Sequence, residues 1–201
     1  MRPQSSAEMS LHGQGGARKY LNAPERRRFR RTLRRFPIDV RLFCLVLMWS
    51  GGRVSETLAL TPTAIDLDSG LVSFQTLKRR RPGLVRQVPL PAPLLRELAR
   101  TYHLRKLHDV PSSADRRIWP WGRVTAWRHV KAVMAAARVF GPAASPKGLR
   151  HTFGVAAFQA HVPPHIVQRW LGHASLRTTA IYGDVSGDEE RAFAAEIWRG
   201  W

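Results

Sequence analysis

The sequence is poor in cysteine, in acidic residues and in long apolar segments. Its 201 residues contain one cysteine and 14 Asp plus Glu, against 33 Lys plus Arg. The single thiol, Cys44, cannot form an internal disulfide, and its place within an apolar run predicts that it is buried. That run, residues 42–49, is too short to span a bilayer, which takes about 20 apolar residues. The N-terminus also lacks the apolar core of a signal peptide, so we predict a cytoplasmic protein with no membrane partner.

The excess of basic residues indicates a polyanionic partner. The formal net charge is +19, and a charge of this size repels itself unless an anion offsets it. Nucleic acid is the first choice, since no segment supports a membrane. Apolar residues make up 44% of the chain, which is enough to build a core and argues against disorder throughout.

Helical periodicity dominates the chain and gives way once to strand-like runs, over residues 71–77 and 84–90. The residues between these runs can turn the chain, which predicts a β-hairpin with four consecutive cations at its tip. The predicted helices cover about 23–36, 38–50, 54–60, 93–107, 124–139, 147–160, 163–171 and 188–198, with a further short helix capped by Ser175. We therefore predict a mainly α fold with a small antiparallel β-sheet (α+β). It forms one domain over residues 20–201, after a flexible, glycine-rich tail over residues 1–19.

Five short segments carry residues suited to phosphate chemistry, and each is weak evidence alone. In chain order they are Gly52-Arg53-Val54-Ser55-Glu56, Lys78 in the hairpin, Lys147-Gly148-Leu149-Arg150-His151, Leu171-Gly172-His173, and Tyr182 nine residues after that histidine. In this order and spacing the set resembles the tyrosine recombinase (phage integrase) family over about residues 20–198. The resemblance implies the family's DNA breaking-rejoining catalytic domain.

The resemblance also implies a role for each of these residues. Tyr182 is the expected nucleophile, which forms a 3′-phosphotyrosyl link, and Lys78 is the expected general acid for the leaving 5′-oxygen. Arg53 and Arg150 offer planar sets of donors that suit bidentate binding of a phosphate. Lys147 and His173 are expected to complete the donor set. We expect nearby cations to favour the phenolate form of Tyr182.

Other residues are expected to support the site or to hold DNA. Glu56 is expected to brace the site, and His151 to pack or hydrogen-bond behind it. The choice of Lys78 depends on the hairpin register, since a shift of one residue brings a neighbouring cation inward; lysine is favoured because arginine is a poor proton donor. Further candidate DNA contacts are Arg79, Arg80, Arg81, Arg27 and Arg31, although a solvated charged face is the simpler alternative for such residues.

By resemblance, the protein is expected to be a site-specific recombinase that acts on double-stranded DNA as a homotetramer on two sites. Without DNA, we expect a monomer or a weak oligomer. No cofactor or metal is expected, because cationic and donor groups surround the phosphate. Members of the family usually carry a core-binding domain before the catalytic domain, and this sequence resembles the catalytic domain alone. The alternatives are a DNA-binding regulator that keeps the fold without strand exchange, and a relaxing topoisomerase of similar chemistry.

Overall fold

The fold is mainly helical with one small antiparallel sheet, which confirms the predicted class. The computed structural model describes residues 10–75, 85–108, 116–184, 190–191 and 194–195. The helices are α1 (Ala23–Thr32), α2 (Ile38–Ser50), α3 (Val54–Leu58), α4 (Ala92–Thr101), α5 (Leu104–His108), α6 (Arg123–Ala136), α7 (Pro146–Gln159), α8 (Pro164–Leu171) and α9 (Leu176–Ala180). The strands are β1 (Ile65–Asp66), β2 (Leu71–Gln75) and β3 (Val85–Pro89). Short 3-10 turns lie over Gln14–Gly16, Leu33–Arg35, Pro62–Ala64, Gly141–Ala143 and Ile181–Gly183.

Helix α2 runs through the core and ends just before the segment that contains Arg53 and Glu56. Apolar side chains cover most of its circumference, and Leu42, Phe43 and Leu47 are fully buried. Cys44 is also buried, as the sequence predicts, and burial raises the pKa of its thiol to about 12. The helix ends at Gly51, directly before Arg53.

The sheet has the order β1-β2-β3, with both pairs antiparallel. Gln75 pairs with Val85 at one end of the predicted hairpin, and Val72 and Phe74 face the core. Strand β1 has only two residues and was not predicted, because so short a strand leaves no alternating pattern. The predicted hairpin tip lies outside the described residues.

The helix predicted over residues 93–107 is divided into α4 and α5. His103 lies between them with a φ of 52°, in the left-handed region, which ends the first helix. Just before this break, Tyr102 packs edge-on against Trp119 and donates a hydrogen bond to Asp39. Tertiary contacts at Tyr102 thus accompany a break that helical periodicity does not reveal.

Residues 10–19 differ from the flexible tail that the sequence predicts. Leu11 is 1% exposed and belongs to the same buried cluster as Tyr20 and Tyr182. The segment folds back on itself through a bridge between His12 and Arg18 and a hydrogen bond from the amide of Lys19 to the carbonyl of Leu11. One buried leucine therefore anchors a segment whose composition alone indicates disorder.

No helix among the described residues is both long enough and apolar enough to cross a membrane. Of the helix predicted over residues 188–198, only 190, 191, 194 and 195 are described, and all four are helical.

Candidate active site

The turn after α2 fixes Arg53 through Glu56. The backbone amide of Arg53 donates a hydrogen bond to Oε2 of Glu56 (3.1 Å), and its guanidinium donates to Oε1 (2.6 Å). Glu56 is 3% exposed, and the pKa of its carboxyl is lowered because the positive charges of Arg86 and Arg53 outweigh the effect of burial. Glu56 thus braces Arg53 as an ionised carboxylate.

A buried arginine that sequence reasoning missed completes this brace. Arg86 of β3 is 5% exposed and donates to Glu56 Oε2 (2.7 Å) and to the carbonyl of Trp170 (2.8 Å). Its guanidinium also lies 4.5 Å from the centre of the Phe74 ring. Arg86 therefore ties the Arg53 turn to the end of α8. The sequence carried one signal of this role: a charge stands at an inward-facing position of a strand whose next inward residue is Val88.

Arg150 joins two turns of the chain that are far apart in sequence. Ser145 caps the start of α7, and Arg150 follows in the second turn of that helix. Its Nη1 donates to the carbonyl of Gly51 (2.7 Å) and its Nη2 to the carbonyl of Leu171 (2.5 Å). Burial, and then repulsion from Arg53, lowers the pKa of Arg150 to about 9, so the guanidinium stays charged at neutral pH.

Arg53, Lys147 and Arg150 line one cavity of about 570 Å³. Glu56 is the acidic residue in its lining, and its carboxylate is already bonded to Arg53 and Arg86. The remaining charge of the cavity is positive and partly screened from water, which is the environment that an oxyanion requires. The arrangement therefore fits a phosphate group.

The turn after α8 places His173 against Tyr182. Gly172 has a φ of 63°, and a β-carbon there would come within 2.9 Å of Arg86 Cδ, so this cap requires glycine. The rings of His173 and Tyr182 are stacked, with centroids 6.0 Å apart and planes 14° apart. Nδ1 of His173 lies 3.0 Å from the hydroxyl oxygen of Thr179. Burial and repulsion, chiefly from Arg150, lower the pKa of His173 to about 3, so its imidazole is neutral.

Tyr182 is 1% exposed, and its ionisation differs from the sequence prediction. The positive charges of Arg150 and Arg53 do lower the pKa of its phenol, but burial has the larger effect and the net pKa is raised. The expected stabilisation of the phenolate by cations is therefore present, but in the protein without DNA the burial of Tyr182 outweighs it. The sequence shows that cations are present, but it does not show that folding buries the phenol of Tyr182.

His151 packs behind the nucleophile, on the helix that carries Arg150. Its ring centroid lies 5.9 Å from that of Tyr182, and neither of its buried ring nitrogens has a hydrogen-bond partner among the described residues. Burial, with repulsion from Lys147 and Arg150, lowers its pKa to about 4. His151 is thus a neutral packing residue beside Tyr182.

Not every candidate residue reaches this cavity. Arg27 and Arg31 are exposed on α1 and line a different cavity of about 430 Å³, together with Arg30, Arg34 and Arg41. Lys78, Arg79, Arg80 and Arg81 lie outside the described residues. The structure therefore brings together Arg53, Lys147 and Arg150 at the cavity and His173 and Tyr182 beside them.

Comparison with known proteins identifies the same family that the sequence resembles. Residues 19–189 match the model of the Phage integrase family. Tyrosine recombinase XerA of Pyrococcus furiosus is 32% identical over 84% of this chain and 58% of its own length, and tyrosine recombinase XerD of Xanthomonas campestris is 34% identical over 69% and 46%. The chain thus spans about half the length of these curated relatives.

Solved structures share the fold. The crystal structure of XerA recombinase has a TM-score of 0.74 at 23% identity, covering 89% of this chain and 64% of its own. XerH site-specific recombinase bound to its difH substrate, before cleavage, has a TM-score of 0.69 at 23% identity, covering 90% and 54%.

Proposed function

The chain belongs to the phage integrase family, and we propose that it is a site-specific DNA recombinase that cleaves and rejoins strands through Tyr182. Residues 20–201 form its catalytic domain. Cleavage links Tyr182 to the 3′-phosphate and releases a 5′-hydroxyl; rejoining reverses these bonds, so neither ATP nor a metal is consumed. The observation that carries the proposal is the cavity lined by Arg53, Lys147 and Arg150, with the stacked pair of His173 and Tyr182 nearby.

The two arginines are suited to stabilise the pentavalent transition state. Negative charge grows on the non-bridging oxygens during attack, and donors held in place lower its energy without reorganising. Arg53 is held by Glu56, and Arg150 is held by the carbonyls of Gly51 and Leu171. Each guanidinium keeps further N–H groups for the phosphate. Lys147 is exposed at the cavity and adds a mobile positive charge.

Attack by Tyr182 requires loss of its phenolic proton. The proton is retained at neutral pH in the free protein, since burial raises the pKa. A bound phosphate partly neutralises Arg150 and Arg53. Their repulsion of a protonated His173 then weakens, and the pKa of His173 rises. DNA binding thus makes the neutral imidazole of His173 a better acceptor for the proton of the neighbouring Tyr182.

Lys78 is the proposed general acid. It belongs to the connection over residues 76–84, which leaves β2 one residue after Phe74. Phe74 itself lies against the Arg53 turn, since a β-carbon on Gly52 would come within 3.1 Å of its ring. This proximity supports a role for Lys78 at the leaving 5′-oxygen and for Arg79, Arg80 and Arg81 as phosphate contacts.

Arg27 and Arg31 are proposed DNA contacts away from the scissile phosphate. Their cavity holds one ion pair, between Arg41 and Glu97. Among the described residues, Arg27, Arg31 and Arg34 make no ion pair. Arginines without a carboxylate partner are available to bind the phosphates of a DNA duplex. We also propose that the protein assembles as a homotetramer on two DNA sites.

The test is covalent capture of DNA. A binding site selected from random duplexes is rebuilt as a nicked suicide substrate, and protein–DNA adducts are separated on a denaturing gel. We expect an adduct with the wild type and with Tyr102→Phe, a matched tyrosine substitution that lies against Asp39 and Trp119. We expect none with Tyr182→Phe. A selected site that is bound but never linked would instead favour a DNA-binding regulator.

A further inference from the structure

A tryptophan stands half exposed at the rim of the cationic cavity. Trp127 of α6 is 48% exposed and lines the same cavity as Arg53, Lys147 and Arg150. A single exposed apolar side chain is ordinary on a protein surface, but this indole lies at the rim of the charged cavity, so it can touch whatever the cavity holds. Trp127 takes no part in the bond making and breaking proposed for Tyr182 and the two arginines.

The indole is supported on one side. Nζ of Lys131 lies 5.9 Å from the centre of the Trp127 ring, at the distance of a cation–π contact. The same Nζ donates a hydrogen bond to the carbonyl of Ala144 (2.9 Å), next to the Ser145 cap of α7. Trp127 is thereby linked to the helix that carries Lys147 and Arg150.

Neighbouring residues on α6 extend the surface. Arg123 lies four residues before Trp127 and lines the cavity with it, and Val124 lies three residues before it and is 63% exposed. Residues at these spacings share one face of a helix. The face thus combines an apolar patch with a cation, whereas a merely solvated helix face carries polar side chains.

We propose that Trp127 packs its indole against the sugar, and the groove edge of the base, of the nucleotide next to the phosphate held in the cavity. It would act as a positioning residue, while Arg123 neutralises an adjacent phosphate. The proposal rests on the proposed function only in taking DNA as the occupant of the cavity. The cationic lining attracts any anion, and the indole at its rim favours DNA over an acidic protein segment, because a nucleotide offers a sugar and a base beside its phosphate.

Salt dependence distinguishes stacking from charge. An aromatic contact releases no counterions, so its loss weakens binding equally at every salt concentration. The slope of log K against log salt is negative, and loss of one phosphate contact lowers its steepness by about 0.9. The probe is a fluorescently labelled duplex of mixed sequence, titrated with protein at several salt concentrations.

We expect Trp127→Ala to weaken binding about tenfold, the loss expected when one large apolar contact is removed, with an unchanged salt slope. Trp127→Phe should retain most of the affinity, because it keeps an aromatic ring. Arg123→Gln should make the slope less steep. Phe140→Ala is the matched control: Phe140 is 72% exposed and does not line this cavity among the described residues, so its loss should leave affinity unchanged.

Two results would overturn the proposal. Unchanged affinity in Trp127→Ala would show that DNA does not contact the indole, as expected if the surface serves a protein partner. Weaker binding together with a less steep slope would show that Trp127 only arranges the cations. Neither result depends on cleavage, so failure of the covalent adduct would overturn the proposed function and leave this binding test intact.

Discussion

The ring of Tyr182 lies directly against Gly154 of α7. A β-carbon at position 154 would come within 2.6 Å of three atoms of the Tyr182 ring, Cδ1, Cε1 and Cζ. Real β-carbons do not approach other atoms so closely, so the position of the proposed nucleophile depends on a glycine one turn after Arg150. No sequence motif marked Gly154, since its role is defined by a residue 28 positions later in the chain.

Gly154→Ala should displace the Tyr182 ring. We expect the rate of adduct formation to fall about a hundredfold, since a shift of about 1 Å in a reacting group can cost this much. The free energy of unfolding should fall by about 1–3 kcal/mol through overpacking. Single-turnover assays on the suicide substrate measure the first effect, and urea unfolding measures the second.

Gly183→Ala is the control for that substitution. Position 183 adjoins Tyr182, but a β-carbon there would meet Phe158 at an ordinary distance of 3.5 Å. A similar loss of rate in both variants would contradict the steric explanation.

Arg86→Met should destabilise the protein strongly. It removes one of the two arginines bonded to the buried Glu56, and breaking a buried pair from one side typically costs about 3–5 kcal/mol. Adding Glu56→Gln should recover part of this loss, because no buried charge then lacks its partner. Urea unfolding gives both values. Arg96→Met, at an exposed arginine, should have little effect; equal losses in the two arginine variants would contradict a special role for Arg86.

Acid should destabilise the protein through His151. Its pKa is about 4 in the folded state and ordinarily about 6.5. Between these values the unfolded chain binds the proton and the folded protein does not, so stability falls as pH falls through this window. From pH 7 to pH 5, His151 should account for a loss of about 2 kcal/mol.

His151→Phe removes the titrating group and keeps a ring in the packing position. The change in unfolding free energy between pH 7 and pH 5 should be smaller than in the wild type by that amount, measured by urea unfolding at each pH. An identical pH dependence in both proteins would show that His151 titrates normally in the folded state.

The double substitution Arg27→Gln and Arg31→Gln should weaken DNA binding in a salt-dependent way. Two lost phosphate contacts make the negative slope of log K against log salt less steep by about 2. Titration of the labelled duplex at several salt concentrations measures the slope. The matched pair is Arg100→Gln with Arg105→Gln, which removes the same charge from a cavity elsewhere. If the slope became less steep by the same amount in both double variants, the effect would come from the total charge of the protein and not from contacts at Arg27 and Arg31.

Periodicity and spacing predicted much of the fold and of the site. Helices α2, α6 and α7 were predicted to within three residues at each end, because each is a run rich in apolar residues or alanine and nearby Pro or Gly marks its limits. Ser175 was predicted as a cap, and its hydroxyl accepts a hydrogen bond from the amide of Arg177 at the start of α9. Arg86 was not identified, since its partners, Glu56 and Trp170, are distant in sequence.

The sequence by itself determined the chemistry that is present: a surplus of cations, a tyrosine nine residues after a histidine, and the family to which these belong. Only the tertiary structure decided the ionisation of these groups and the space around them. Folding buries Tyr182, which raises the pKa of its phenol, and it lowers the pKa of His151 and His173 so that both stay neutral. Folding also leaves Trp127 half exposed at the cavity. Such properties depend on dehydration and on charges brought together by folding, and neither is encoded in the local order of residues.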